Sequence, residues 1–130
     1  PRQFDVMLTE NLFGDILSDL GPAACGTIGI APSANLNPER RFPSLFEPVH
    51  GSAPDIADKD VANPISSVLS AAMLLRWHAQ RNGKTNFADA ANAIEKSIEH
   101  CVAKGQSTRD VGGNLGTQAT GAAILTQLMA

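Results

Sequence analysis

The chain has 130 residues, of which 43% are hydrophobic and 18% are charged, which allows one domain with a hydrophobic core. Its formal net charge of −3 is mild and argues against a nucleic-acid-binding surface, which needs a basic excess on one face. No apolar run approaches the roughly 20 residues of a membrane span. The two cysteines match no metal or redox spacing, so we predict a cytoplasmic protein with reduced thiols.

The first predicted elements are a buried strand and a helix. Residues 4–8 are a short apolar run with the length and flanks of a buried strand. Asn11 is a residue type that caps helices, and a helix is predicted over residues 12–20, with apolar side chains along one stripe. Gly21 and Pro22 are then expected to end or kink this helix. Because the chain enters the apolar strand almost at once and lacks an initiator methionine, we expect it to be a piece of a longer protein.

Two further strands are predicted on either side of a polar loop. Residues 27–31 have the apolar character of a second buried strand, closed by Pro32, and residues 44–49 have that of a third. Between them, residues 35–41 are polar and turn-forming, which is typical of a surface loop.

Three helices are predicted in the second half of the chain. Asn63 before Pro64 is a start signal for a helix over residues 65–80, which is apolar nearly all round and should be buried in a core or a subunit interface. Apolar residues recur at helical spacing over residues 87–102, and Gly105 is expected to end that helix. A glycine-rich loop then leads to a last short helix over residues 117–129.

The alternation of strands and helices predicts the α/β class. Three strands and four helices leave the sheet short of its usual complement, as in a fragment. No linker, repeat or low-complexity tract divides the chain, so residues 1–130 are treated as a single unit.

Two carboxylates of the first helix are candidate metal ligands. Asp15 and Asp19 lie four positions apart, which puts both on one face of the helix. Hard divalent cations take oxygen ligands, and a carboxylate pair with a bound substrate supplies several. The alternative is that these acidic residues complement the helix dipole, and spacing alone favours that alternative.

The loop over residues 47–64 is the second candidate site. It combines several prolines with His50, Gly51 and several side-chain acceptors, which favours a ligand-holding role over a mere connection. Gly51 would let the backbone approach a ligand closely, and Pro54 would stiffen the loop.

Two segments resemble one known family. Residues 9–19, Thr-Glu-Asn-Leu-Phe-Gly-Asp-Ile-Leu-Ser-Asp, and residues 47–64, which contain His-Gly-Ser-Ala-Pro-Asp-Ile, are similar to the metal-dependent β-decarboxylating dehydrogenases of isopropylmalate, isocitrate, tartrate and D-malate. The resemblance covers essentially the whole chain and implies the C-terminal portion of a subunit with the isopropylmalate-dehydrogenase-like fold, which binds dinucleotides without a Rossmann fingerprint. The glycines within residues 112–116 are consistent with the absence of a Rossmann fingerprint, because they follow a loop and not a strand.

The resemblance also implies the roles of individual residues. Asp15 and Asp19 occupy positions at which the family binds Mg²⁺ or Mn²⁺, and a further aspartate is expected from the partner subunit. The implied NAD-binding residues are His50, Gly51, Ser52, Ala53, Pro54, Asp55, Ile56, Asn63 and Asp110. Asp55 would bind the adenosine ribose and repel a 2′-phosphate, which selects NAD over NADP; alone, it could equally stabilise a turn. For Asp110, an ordinary loop carboxylate stays an open alternative.

The implied activity is oxidation, with decarboxylation, of a small 2-hydroxy acid by a homodimer. Residues 26–40 look most like tartrate/D-malate dehydrogenases, with 3-isopropylmalate dehydrogenase of leucine biosynthesis as the alternative. A non-catalytic nucleotide-binding or interaction domain is the alternative from another class. The chain has no tyrosine, and the family's catalytic tyrosine and lysine lie upstream, so these 130 residues alone are expected to be inactive. One departure is Asp58-Lys59-Asp60, where the family more often has a glycine beside the lysine.

Overall fold

Three helices form the packed body of the protein in a computed structural model that describes residues 3–39 and 41–130. They are α2 (Ile65–Asn82), α3 (Thr85–Ala103) and α4 (Thr117–Leu128). Their buried core contains Ile65, Ile98, Cys101 and Ile124. Ala72 of α2 and Ala91 of α3 are completely buried, and such small side chains let helix backbones approach closely. No helix in the described ranges is long and apolar enough to cross a membrane.

A two-stranded antiparallel sheet packs against α2. Strand β1 (Pro32–Asn35) pairs with β2 (Leu45–Pro48), with Pro32 opposite Pro48 and Asn35 opposite Leu45. The hydroxyl of Ser66, in the first turn of α2, donates a hydrogen bond to the carbonyl of Ala31 just before β1. This bond fixes the sheet against the start of α2.

The first helix, α1 (Asn11–Cys25), lies outside this core and has no buried residue. The carboxylate of Glu10 caps it by accepting hydrogen bonds from the backbone N–H groups of Leu12 (3.1 Å) and Phe13 (2.9 Å). Its apolar side chains at Leu12, Phe13, Ile16 and Leu20 are each more than half exposed. The helix therefore presents an uncovered apolar face within the described chain.

Two of the three predicted strands are wrong. Residues 4–8 form no strand, and Leu8 is 97% exposed, because no described segment lies beside them to complete a ladder. Residues 27–31 consist mostly of a 3₁₀ turn, Ile28–Ile30. Its cause is local: the Thr27 hydroxyl accepts a hydrogen bond from the N–H of Gly29 (2.9 Å), which offers the backbone an alternative to a strand. The third prediction, over residues 44–49, is confirmed by β2.

The helix predictions are confirmed with shifted ends. Glu10 replaces Asn11 as the cap of α1, and Pro22 lies inside a helix that continues to Cys25 and so does not end at Gly21. The other three helices lie within a few residues of their predicted ranges. Gly105 follows α3 with φ at +69°, a left-handed conformation that suits glycine. The fold is thus α/β, mostly helical with a small sheet. Pro1 and Arg2 of the predicted unit and Arg40 of the predicted loop lie outside the described residues.

Candidate functional site

A cavity of about 750 Å³ lies where three segments meet: the turn after α1, the loop before α2 and the loop before α4. Five of the nine residues predicted to bind a dinucleotide line it, namely His50, Ala53, Ile56, Asn63 and Asp110. These positions are as much as 60 residues apart in sequence (110 minus 50), so the fold brings them together.

The Asp110 carboxylate connects the three segments. Its Oδ2 accepts hydrogen bonds from the Thr27 hydroxyl (2.7 Å) and the Asn63 side-chain amide (2.9 Å), and its Oδ1 accepts one from the Thr108 hydroxyl (2.5 Å). Burial alone would raise the pKa of Asp110, but the hydrogen bonds from Thr108, Asn63 and Thr27 hold that pKa below its ordinary value. Asp110 is therefore a structural centre of the cavity, held as a carboxylate by protein donors.

Asn63 couples this centre to α2. Its side-chain NH₂ donates to Asp110, while its Oδ1 accepts a hydrogen bond from the backbone N–H of Ile65 (2.9 Å). One buried amide thus caps the helix and fixes the cavity wall, and each end of the amide has one partner.

Gly29 is needed because there is no room for a side chain. A Cβ added to this buried glycine would lie 2.7 Å from Asp110 Oδ2 and 2.9 Å from the Cβ of Asn63. Both are far inside van der Waals contact, so only glycine lets the turn after α1 close against the other two segments.

His50 has an unsatisfied nitrogen at the cavity. Its Nδ1 lies 2.7 Å from the carbonyl oxygen of Gly51, and because a carbonyl only accepts, Nδ1 must carry the proton in this arrangement. Its Nε2 is buried and has no hydrogen-bond partner within residues 3–39 and 41–130. An orphaned buried polar atom beside a cavity fits a bound ligand with a hydrogen-bond donor.

The remaining predicted loop residues lie beside the main cavity. Ser52 lines an adjoining cavity of about 320 Å³ that shares His50 with the larger one. Gly51, Pro54 and Asp55 line neither cavity. Asp55 is exposed in the 3₁₀ turn Pro54–Ile56, so its carboxylate has no hydrogen bond or ion pair with the described protein to restrict it.

Asp60 attaches one wall of the cavity to α4. Its carbonyl accepts a hydrogen bond from the N–H of Thr117 (3.2 Å), and its Oδ1 accepts one from the N–H of Gln118 (2.8 Å). Two orphan donors of the first turn of α4 are thereby satisfied from another segment. A Cβ at Gly116 would collide with the same carboxylate, so this contact also requires a glycine.

The metal candidates Asp15 and Asp19 lie apart from the cavity lining. Both are exposed on α1, one helical turn from each other. Within the described ranges, no three His, Cys, Asp or Glu side chains come together as a metal-binding group. The pair nevertheless fits a hard divalent cation in donor chemistry, since both oxygens are anionic and accessible and can supply two of its ligands.

Sequence reasoning missed Thr27, Gly29, Thr108 and Asp60. Only Asp60 lies in the loop over residues 47–64, where it belongs to the departure from the family pattern. Their roles depend on contacts between distant segments, and the sequence carries no direct signal of these contacts.

Comparison with known proteins gives concordant matches over nearly the whole chain. Residues 1–126 match the family model of isocitrate/isopropylmalate dehydrogenase. The chain is 58% identical over 125 residues to a tartrate dehydrogenase/decarboxylase of Pseudomonas putida, covering 95% of this chain and 34% of the relative. It is also 58% identical over 124 residues to the decarboxylating D-malate dehydrogenase of Escherichia coli, with the same two coverages. A 3-isopropylmalate dehydrogenase of Zymomonas mobilis is 50% identical over 128 residues, 98% of this chain and 34% of that one.

A solved structure agrees with these sequence matches. The crystal structure of isocitrate dehydrogenase from Methylococcus capsulatus superposes with a TM-score of 0.84 at 36% identity, covering 99% of this chain and 36% of that one. The chain spans about a third of the length of the curated relatives it matches.

Proposed function

Because this chain belongs to the isocitrate/isopropylmalate dehydrogenase family and has its fold, we propose that the whole protein is an NAD- and divalent-metal-dependent dehydrogenase that oxidises and decarboxylates a 2-hydroxy acid. Tartrate and D-malate are the proposed substrates, since the two relatives at 58% identity are named for them. The chain has no tyrosine, and the resemblance implies that the family's catalytic tyrosine and lysine lie upstream, so we propose that this chain by itself supplies cofactor and metal binding without turnover.

The observation that carries the proposal is the cavity organised by Asp110. The Asp110 carboxylate joins three segments into one wall, and at that wall His50 has a buried Nε2 without a hydrogen-bond partner in the described part of the chain. We assign the cavity to the adenosine half of NAD, with Asp55 at its edge as the ribose ligand. An imidazole nitrogen that accepts hydrogen bonds suits the hydroxyl or amino donors of a nucleoside. The exposure of Asp55 leaves its carboxylate available for that role.

Asp15 and Asp19 are the proposed ligands of Mg²⁺ or Mn²⁺. Their exposed carboxylates on one face of α1 would hold the cation through oxygen atoms. When bound, the cation would act as a Lewis acid toward the substrate hydroxyl and the ketone made from it. The two aspartates would also contribute negative charge that orients the cation between protein and substrate.

The proposed assembly is a homodimer in the cytoplasm. The uncovered apolar face of α1, with Leu12, Ile16 and Leu20 more than half exposed, is a surface that burial against a partner would remove from water. The same helix carries the metal candidates, so a contact there would bring a second subunit to the metal site. The small-molecule substrate is the other proposed partner, without nucleic acid or membrane.

A second candidate function is 3-isopropylmalate dehydrogenase, which the 50% identity to the Zymomonas mobilis enzyme favours. The experiment is a comparison of D-malate, tartrate and 3-isopropylmalate as substrates of the full-length protein, with NAD⁺ and Mn²⁺. Appearance of NADH together with CO₂ is expected with D-malate or tartrate. Turnover of 3-isopropylmalate alone would support the second candidate, and no turnover of any of them would support a non-catalytic nucleotide-binding or interaction domain.

A further inference from the structure

The charged groups that line the large cavity are of two kinds, and the carboxylates are already engaged. Asp110 accepts hydrogen bonds from Thr27, Asn63 and Thr108 through both of its oxygens. Asp60 accepts from the first turn of α4. The acceptor capacity of these two groups is therefore directed largely toward the protein itself.

The cations are not engaged. Lys59 and Arg109 both line the cavity and are exposed. Neither side chain has a hydrogen bond or an ion pair within the described parts of the chain. By contrast, Arg76 on the outer surface is paired with Glu95. The charged groups at the cavity that remain available to bind a ligand are therefore the cationic donors Lys59 and Arg109.

The backbone beside each cation is held in place by its neighbouring carboxylate. Lys59 precedes Asp60, which is tied to α4, and Arg109 precedes Asp110, which is tied to three donors. Anchored main chains limit the space that these long side chains can explore, which lowers the entropic cost of closing on a ligand. The helices α2 and α4 also begin beside the cavity, so their positive dipole ends partly offset the two carboxylates.

We propose that Lys59 and Arg109 bind a phosphate group of the nucleotide in this cavity, an assignment that rests on the proposed dinucleotide function. Ammonium and guanidinium donors form strong charge-assisted hydrogen bonds with phosphate oxygens. We assign that phosphate to the diphosphate of the dinucleotide, because the proposed ribose ligand Asp55 would repel the other source, a phosphate on the 2′-oxygen of the adenosine. The two sources share one chemistry and differ in the ligand that loses affinity when a cation is removed.

The test compares Lys59→Gln and Arg109→Gln in the full-length protein by titration calorimetry with adenosine, 5′-ADP and 2′,5′-ADP. The matched controls are Lys96→Gln and Arg41→Gln, which remove the same charges from exposed positions that line neither cavity. We expect the dissociation constant of 5′-ADP to rise about tenfold or more in both variants. The dissociation constant of adenosine in these variants, and those of all three ligands in the two controls, should stay at wild-type values.

The pattern of loss identifies the phosphate. Weakening of 5′-ADP, alone or together with 2′,5′-ADP, which carries only the first 5′-phosphate, supports the diphosphate, and weakening of 2′,5′-ADP alone supports the 2′-phosphate and contradicts the diphosphate assignment. Wild-type affinities in both variants, or an equal loss of adenosine, overturn the proposal while leaving the dehydrogenase assignment standing. Wild-type protein that binds none of the three ligands overturns the cofactor assignment as well.

Discussion

The side-chain amide of Asn63 donates a hydrogen bond of 2.9 Å to the carboxylate of Asp110, 47 positions further along the chain. Neither residue is adjacent to the other in any motif, yet their contact joins the start of α2 to the loop before α4. The same carboxylate reaches Thr27 after α1. The hydrogen bonds of Asp110 with Asn63 and Thr27 therefore form a junction that holds the cavity together. Changes at this junction should alter both ligand binding and the stability of the fold.

Gly29→Ala should disturb the junction by volume alone. The new Cβ would lie 2.7 Å from Asp110 Oδ2, and we expect a loss of about 1–3 kcal/mol of unfolding free energy. Gly21→Ala is the control, because nothing lies within 4 Å of a Cβ there and its helical site favours alanine. Urea unfolding of the full-length proteins measures both. Equal stabilities of Gly29→Ala and wild type would contradict the crowding seen at this turn.

Asp110 should make stability pH-dependent in the acid range. Its folded-state pKa lies below the unfolded value of about 3.9, so its contribution is complete above that value and is lost as pH falls through the folded pKa. Asp110→Asn should cost about 1 kcal/mol near neutral pH, and its difference from wild type should shrink in acid. Denaturant titrations at several pH values measure this. If the stability difference between Asp110→Asn and wild type stayed constant with pH, the charge of Asp110 would not contribute to stability.

Asp55→Ala should weaken NAD⁺ and shift preference toward NADP⁺. Loss of charge-assisted hydrogen bonds to the ribose should cost about 1.5–3 kcal/mol in NAD⁺ binding, and loss of the negative charge removes repulsion of a 2′-phosphate. Asp89→Ala, which removes an exposed carboxylate from α3, is the control. Binding constants for both dinucleotides measure the effect. An unchanged NAD⁺/NADP⁺ ratio would mean that Asp55 does not contact the ribose.

Asp15→Asn should reduce the affinity for Mn²⁺ at least tenfold, because it removes one of the two proposed anionic ligands. The fold should stay intact, because Asp15 is exposed and lies outside the core. Calorimetric titration of Mn²⁺ measures affinity, and circular dichroism measures folding. Asp89→Asn again provides a carboxylate control distant in sequence. Loss of helix content with unchanged Mn²⁺ affinity would favour the dipole role that the sequence left open.

Leu20→Glu should convert a dimer of the full-length protein toward monomer by placing a charge on the apolar face of α1. Leu125→Glu is a matched control, since Leu125 is 60% exposed and Leu20 is 59% exposed. Sedimentation velocity measures the association state. A wild type that is fully active as a monomer would refute the shared contact on α1.

The sequence predicts the helices well and the cavity poorly. The helices α2, α3 and α4 follow from apolar spacing and from local start and stop residues, which act within a few positions. The predicted strand over residues 4–8 is wrong because a strand depends on neighbours that its own residues do not specify. Likewise, the role of Asp110 depends on hydroxyls and an amide from three separate segments, so a short motif match left it open.

The unusual Asp58-Lys59-Asp60 segment acquires a physical explanation. Asp58 and Asp60 have φ angles of +60° and +52°, a left-handed conformation that is easiest for glycine. The resemblance leads one to expect a glycine beside the lysine, and the backbone shows why that residue suits the loop. An aspartate adopts this conformation less readily than a glycine, but its carboxylate accepts a hydrogen bond from the first turn of α4, which a glycine could not do. Sequence variation at Asp60 would thus tune how rigidly one wall of the cavity is held.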